Sequence, residues 1–545
     1  MESTYVIGVD FGTNSVRCVV SDTKDGAILA SEEAEYRRWA RGLYCTPKEN
    51  VYRQHPKDYL EALETCIKTT VASLPQELAA QIAAIGIDTT GSTPGPVNRE
   101  GIPLAMTPEF AENPDAMFWL WKDHSALREA KLVDDVFSAP PVSYTKYQGQ
   151  YSSEWYWAKI LHAVCSAPEV GAEAVAWVEH CDWIAAELTG ERLPERIFRS
   201  SCSAGHKALF HSEWGGLPDA ARLSRLSPVL VKYAANYRLP PVPAGTAVGK
   251  ISEAWACRLG LSKTVVIAAG SLDAHAGAVG VGIGENVLAC AFGTSSVDML
   301  IAKPEDVADK NLTFTCGQAE NSIIPGYVGI ESGQAAFGDL FAWLRGLLLW
   351  PVEQFPELFS PETEKTLMSG ILERLNCAAA ERGFPAGALA TDWLNGRRYP
   401  YPDETATGTI TGLRLSSDAV ELYQALVLAS AFGLRSIIEN LGENGLTIEK
   451  ILATGGVSQK SPYVIQTVCD VTGLPVEVPL ASQITALGAA IYAAVACGKY
   501  PDISSAQVRM CPKKSKYYSP DIARHEQCAE LFEQYRSMRK KKASR

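Results

Sequence analysis

The segment VIGVDFGTNSVRCVV at residues 6–20 returns in altered form as NVLACAFGTSSVDML at 286–300. Each copy is an apolar run, then Phe-Gly-Thr-x-Ser-Val, then a second apolar run, the pattern of a strand, a tight turn and a strand. Gly12 and Gly293 are expected to supply the backbone freedom of the turns. Thr13 and Ser15 in the first copy, and Thr294 and Ser295 in the second, place hydroxyls beside exposed backbone N–H groups. Such a turn makes a small anion cradle. One cradle is weak evidence, because hairpins carry Gly-Thr for turn chemistry alone. Two copies in separate halves predict related domains closing on one polyphosphate, the alternative being two unrelated hairpins. The copies differ at one position that matters chemically: Asp10 in the first is Ala291 in the second. Only the first cradle offers a carboxylate to a hydrated Mg²⁺.

A chain of 545 residues is too long for one core, so two large domains with insertions are expected. Its 47% apolar and 21% charged content are those of a globular protein. A net charge of −12 argues against a nucleic-acid partner. No basic-then-apolar leader precedes the first strand, and no uninterrupted apolar run reaches ~18–20 residues, so neither secretion nor a membrane span is expected. The 14 cysteines are scattered without a C-x-x-C pair, which fits reduced thiols in a cytoplasm. The basic run Arg539, Lys540, Lys541, Lys542 reads as a solvated end.

Leu60, Leu63, Ile67, Val71 and Leu74 recur at helical spacing and stop at Pro75. The short strand 82–88 runs into TTGSTPGPV. Residues 151–190 carry helical patterns, and SCSAGHKALFH (201–211) reads as loop and strand. TVVIAAGSLDAHAGAVGVG (264–282) reads as a strand, an Asp at a Gly-flanked turn, and a helix of very small residues. The domain boundary is placed near Gly284, giving 1–284 and 285–500, with 501–545 a helical extension. A helical insertion is expected around 350–390, and an apolar helix at 419–438. The small-residue runs 274–280 and 486–496 read as a close-packed joint between domains, ordinary core packing being the alternative. Strands alternating with helices give an α/β fold with a mixed sheet in each half.

Phosphoryl transfer needs a phosphate cradle, a metal bridging the phosphates, and a base aimed at the acceptor hydroxyl. The cradles and Asp10 meet the first two needs. Asp273, just past a strand end at the turn into a helix, is the candidate base, with a helix N-cap as the alternative. Gly455 and Gly456, between strand and helix, let backbone approach a flat or anionic ligand such as an adenosine, or else only serve a tight turn. No G-x-x-x-x-G-K-[ST] occurs, and the glycines at 277–284 do not form G-x-G-x-x-G. His206 and His275 sit in no triad-like or zinc-like sequence setting and read as core or loop residues.

The two cradles with Asp10 resemble the fold shared by sugar kinases, actin and heat-shock ATPases, with two ribonuclease H-like domains around a central cleft. YSSEWYWAKIL (151–161), WVEHCDWIAAELTG (177–190), Gly-x-x-Asp-Ala (270–274), NGRRYPYPDETATGTITGL (395–413) and TGGVSQKSPYVIQTVCDV (454–471) are similar, in order, to the blocks of FGGY carbohydrate kinases. Within that family DTTGSTPGPV (88–97), PEFAENPDAMFWLWKDH (108–124), SCSAGHKALFHSEWGGLP (201–218) and GIESGQAAFGD (329–339) resemble the branch that phosphorylates L-ribulose at O5 in arabinose catabolism. The resemblance implies ATP and Mg²⁺, with Asp273 as base and Asp10 organising the metal. It assigns Gly12, Thr13, Asn14, Ser15, Arg17, Gly293 and Thr294 to the phosphates, and Gly455 and Gly456 to adenosine, with Ser458, Gln459 and Ser461 as open candidates beside them. It places the sugar against Thr93 and Gly95, with Lys207 and Glu331 as polar contacts; the residues alone would make Lys207 a surface cation and Glu331 a loop carboxylate. A homodimer is allowed by the sequence. The rival readings are a xylulose or ribitol kinase of the same family, a nucleotide-gated scaffold or chaperone, and a sugar-binding repressor, for whose DNA-binding module neither end has room.

Overall fold

Tyr5–Phe11 and Ser15–Asp22 pair antiparallel through the Gly12-Thr13-Asn14 turn, as the first repeat requires. In this computed structural model, which describes residues 4–384 and 387–540, the second repeat forms the matching hairpin Val287–Phe292 and Ser296–Ala302. The side chains of the basic run Arg539–Lys542 lie outside the described residues. Each hairpin is the middle of its own mixed sheet. The first runs 247–250, 266–268, 82–89, 5–11, 15–22, 28–35, with 82–89 parallel to 5–11. The second runs 317–320, 328–332, 296–302, 287–292, 450–454, 476–479, 515–518, with 450–454 parallel to 287–292. The two halves thus share a hairpin-plus-parallel-strand frame, and the expected α/β layering is present in both.

Strand alternation sends Ile7, Val9 and Phe11 to one face, where they meet Leu63 and Ile67 of the helix Pro56–Ala72. That helix starts where Pro56 sits at its first turn and the His55 ring accepts the Lys57 N–H. Each fully buried aliphatic chain in this layer contributes about 1.5–3 kcal/mol.

The opposite face carries Val6, Gly8 and Asp10. Against it lies the helix Ile484–Ala496, which also packs on the helix Asp273–Val281. Contact here is backbone on backbone. A Cβ on Gly8 would fall 1.9 Å from the Ala486 carbonyl oxygen, and one on Gly488 would fall 1.8 Å from that of Ala276. Ala289, Met299 and Leu452 of the second sheet join the same cluster. The two small-residue helices are therefore the packed joint between the sheets.

Four expectations need correction. SCSAGHKA (201–208) is a helix, not loop and strand: the Ser200 hydroxyl accepts the Cys202 N–H, and small unbranched residues leave the turn unstrained. The 501–545 extension is not helical throughout, since Ser515–Tyr518 closes the edge of the second sheet beside Val476–Pro479. Ala176–Glu179 interrupts the helical region 151–190 as a strand paired with Pro94–Val97. The apolar helix expected at 419–438 runs on to Glu443, as Ala419–Glu443, and is long and apolar enough to cross a membrane by length and composition. It is instead wrapped by the second half's core, with Leu426, Phe432 and Leu434 buried.

Candidate active site

A cleft between the halves is reached by the second hairpin turn directly, through Thr294 and Ser295, and by the first through Trp121, which bonds Thr13. Its cavity, of about 550 Å³, is lined from the first half by Trp121, Tyr151 and Glu154 and from the second by Thr294, Ser295 and Glu331.

The two turns close differently: the Gly12 N–H bonds the Ser15 carbonyl three residues on, whereas the Gly293 N–H bonds the Ser295 carbonyl only two residues on, each at 3.0 Å, so the second turn is one residue shorter. Neither glycine has a positive φ, so the turns do not need glycine for their conformation, contrary to expectation. Thr13 accepts the Trp121 indole N–H at 3.1 Å, which ties the first turn to the cavity wall. Asn14 accepts the Trp39 indole N–H. Ser15 is buried and gives its hydroxyl to Glu33, so it is not free to serve an anion. The second turn is braced by the start of the helix Gly338–Gln354, where the Phe337 and Asp339 N–H groups bond the Thr294 carbonyl. Gly455 has φ +88, and a Cβ there would lie 2.4 Å from the Phe292 carbonyl oxygen. A Cβ on Gly456 would meet nothing within 4 Å. Gly455 therefore fits the strand–helix turn to the second hairpin, while Gly456 leaves open, bare backbone of the kind a flat ring or phosphate can approach. Of the three neighbours left open, Ser458 bonds the Gly455 carbonyl and Gln459 bonds that of Pro479.

Asp10 ends its strand beside Arg17, 3.3 Å away across the hairpin. Burial raises its carboxyl above the ordinary range in spite of that guanidinium. In the adjacent parallel strand Asp88 stands level with Asp10, fully buried. Its carboxyl is pushed well up by burial and then by the charges of Asp10 and Asp273. Asp273 opens the helix Asp273–Val281. It is not the N-cap, which is Leu272; its Oδ1 accepts the Ala274 N–H at 2.7 Å. Burial, followed by the charge of Asp10, raises it to about 7. A carboxylate poised near neutrality is suited to take a proton from a hydroxyl.

Lys207 and Glu331 meet across the halves. Lys207 Nζ, on the helix Ser201–Ala208, donates to both Glu331 oxygens at 3.2 and 3.0 Å. Burial is the largest single influence and would lift Glu331, but the Lys207 charge and hydrogen bonds, with His275 and Arg398 adding to them, together hold the carboxyl below its usual value. The bland readings of these two residues fail: Lys207 is buried, and Glu331 lies in the cavity wall. His206 and His275 also belong here, each with a ring nitrogen 3.7 Å from Glu331 Oε2. Burial keeps His206 well below its ordinary value and His275 down at about 4, so both are neutral walls. With Glu331 they form a metal-sized cluster, but the Lys207 ammonium already supplies the positive charge at that carboxylate.

Thr93 and Gly95 are not brought to the cavity surface. Thr93 is fully buried, its N–H bound to Glu179 at 2.8 Å. A Cβ on Gly95 would press 2.8 Å from the Phe118 ring. Their segment is clamped from below by Glu179, which also accepts the Ser92 hydroxyl, and by buried Lys159, which donates to the carbonyls of Ser92, Trp119 and Leu120. Sequence reasoning missed Lys159, Glu179, Asp88 and the Arg398–Glu154 ion pair, 2.9 Å long, at the cavity rim. Only Asp88 left a local signal, as a lone acid ending an apolar strand.

Two related mixed sheets, each built around a hairpin and meeting beside one cavity, define a two-domain actin-like α/β fold. The structure overlays with TM-score 0.78 on the xylulose kinase from Rhodospirillum rubrum, at 20% identity over 98% of each chain. The FGGY family of carbohydrate kinases matches through its N-terminal domain at residues 5–196 and its C-terminal domain at 288–497. Ribulokinase of Vibrio parahaemolyticus is 41% identical over 98% of this chain and 95% of its own, and ribulokinase of Geobacillus thermodenitrificans 35% over 98% and 94%. The chain belongs to the FGGY family of carbohydrate kinases.

Proposed function

We propose that the chain is an ATP- and Mg²⁺-dependent ribulokinase, transferring the γ-phosphoryl group to O5 of L-ribulose in the cytoplasm. The observation that carries the reading is the Lys207–Glu331 pair, closed across the two halves beside Asp273. It is supported by full-length likeness to ribulokinases. The two turns would hold the phosphates by backbone N–H groups, Arg17 would offset their charge, and Gly455 and Gly456 would face the adenosine. The buried carboxylate of Asp10, with only oxygen donors, suits a hard cation, and bound Mg²⁺ would neutralise charge between the transferring and leaving phosphates. Asp273 would take the O5 proton as that oxygen bonds to phosphorus and the bond to ADP breaks. Lys207 and Glu331 would orient the sugar hydroxyls, and closure of the halves would exclude water that could compete for the phosphoryl group. The boundary between the two domains is proposed near Gly284. Fourteen unpaired cysteines support a reducing compartment. Exposed Trp343, Leu347 and Trp350, spaced along one helix, support a homodimer, which sedimentation would test.

The test is kcat/KM across L-ribulose, D-ribulose, L- and D-xylulose, ribitol, glycerol and glucose. L-ribulose is expected to lead, with epimers slower. A lead for glycerol, ribitol or glucose overturns the ketopentose reading. A lead for D-xylulose keeps the family and changes the substrate.

A further inference from the structure

The repeated frame allows a position-by-position comparison that extends beyond Asp10. In the first frame the residues level with one another across three neighbouring strands are Arg17, Asp10 and Asp88. In the second frame the same three places hold Val297, Ala291 and Thr454. The Thr454 hydroxyl is satisfied, bonding the Cys290 carbonyl. Asp88 is not: it is 0% exposed, and among the described residues only the Asp10 carboxyl approaches its oxygens. Its neighbour on the same face is the Asp10 carboxyl, itself 4% exposed. The one cation paired there among the described residues, Arg17, reaches Asp10 and Glu33 from a half-exposed position.

Two buried carboxyls side by side cannot both stay ionised and unpaired; they must share a proton or a cation. We infer that Asp88 is a second carboxylate for the divalent cation, acting with Asp10 through the ion's hydration shell, so that the first cradle binds metal with a pair of acids and the second with none. The inference rests on the proposed nucleotide-dependent activity. Mg²⁺ keeps several waters and is held by one or two carboxylates together with phosphate oxygens, and this row offers such an arrangement. Asp88 stands beside Asp10 in the neighbouring strand and is the more deeply buried of the two, so its part would be to orient the Asp10 carboxylate and the waters bound to the ion. Groups in that position typically contribute 10–100-fold to metal affinity.

Asp88→Asn separates the two accounts. An amide keeps the shape and can donate a hydrogen bond to Asp10, so it imitates a shared proton while removing a negative charge. The measurement is calorimetric ADP affinity of the full chain, with Mn²⁺ and in EDTA, for the parent, Asp88→Asn and, as reference, Asp10→Asn. The ratio of the two affinities is the gain that metal confers. For Asp88→Asn the gain should fall at least tenfold, approaching that of Asp10→Asn, while ADP affinity in EDTA stays within twofold of the parent. A gain equal to the parent's overturns the inference in favour of a shared proton. Equal loss with and without metal also overturns it, showing a structural role. A parent that binds no ADP at all would strike the proposed function itself. Thermal melting checks the fold, and Asp88→Ser serves as the second variant if the amide does not fold.

Discussion

Replacing Lys207 with methionine removes the only ammonium bonded to Glu331 among the described residues and keeps the volume of the stem. The pair is made by two hydrogen bonds of 3.2 and 3.0 Å, with the lysine side chain 4% and the glutamate side chain 14% exposed. Taking one partner from a buried pair costs about 3–5 kcal/mol, because the other charge stays desolvated. The residual exposure of Glu331 points to the lower part, about 3–4 kcal/mol. Neutral His206 and His275 cannot replace the charge, so Glu331 takes up a proton and loses acceptor capacity. At 1.36 kcal/mol per factor of ten, the ionised arrangement falls by roughly 10²–10³-fold. The kcat/KM for L-ribulose should fall by that factor. The KM for ATP should stay within a few-fold, because Lys207 lies on neither hairpin turn. Steady-state kinetics varying each substrate reads both quantities. The variant Lys207→Met/Glu331→Gln should lose little beyond the single change, as expected of coupled residues. A kcat/KM within threefold of the parent, or a loss shared equally by ATP, would refute the reasoning.

Asp10→Ala gives the first cradle the residue that Ala291 provides in the second; its dependence of turnover on Mg²⁺ concentration should be disrupted, and an unchanged Mg²⁺ titration would refute the metal role of Asp10. Asp273 must be ionised to accept a proton. With its carboxyl raised to about 7, roughly a tenth is ionised at pH 6 and nine tenths at pH 8, so kcat/KM should fall about tenfold per unit below 7 and level off above. Both active-site histidines are held well below that window, so a profile flat down to pH 5 would argue against Asp273 as the base. Gly455→Ala, which would strain a positive φ and strike the Phe292 backbone, should cost about 1–3 kcal/mol in melting experiments. Gly456→Ala, into open space, should melt like the parent and weaken only nucleotide affinity.

What the sequence revealed, and what it hid, follows the range of the interactions. The hairpins were legible because Phe-Gly-Thr-x-Ser-Val encodes a turn within six residues, and the duplication made the cleft and the unequal acids visible. The joint helices were legible because only very small side chains allow the approach seen at Gly8 and Gly488. Helix 201–208 was misread because its serines and glycine favour turns and loops over helix, and its place is fixed by the Ser200 cap and by burial. His206 and His275 looked unremarkable because their partner Glu331 is distant in sequence and joins them only when the halves meet. Lys159 was hidden likewise: three carbonyls from two loops define its position, and no residue pattern records carbonyls. Thr93 and Gly95 were assigned by resemblance to the sugar, whereas Glu179 and Phe118 bury them beneath the cavity surface.

The central claim is that one carboxylate, Asp273, takes the acceptor proton between two phosphate-holding turns. Asp273→Asn keeps the shape of the side chain and cannot accept that proton. A positioned base contributes ~10²–10⁴-fold, so turnover with L-ribulose should fall by about that factor. Calorimetric affinities for ATP and sugar should remain within a few-fold. Turnover near the parent's, with binding intact, would contradict the account.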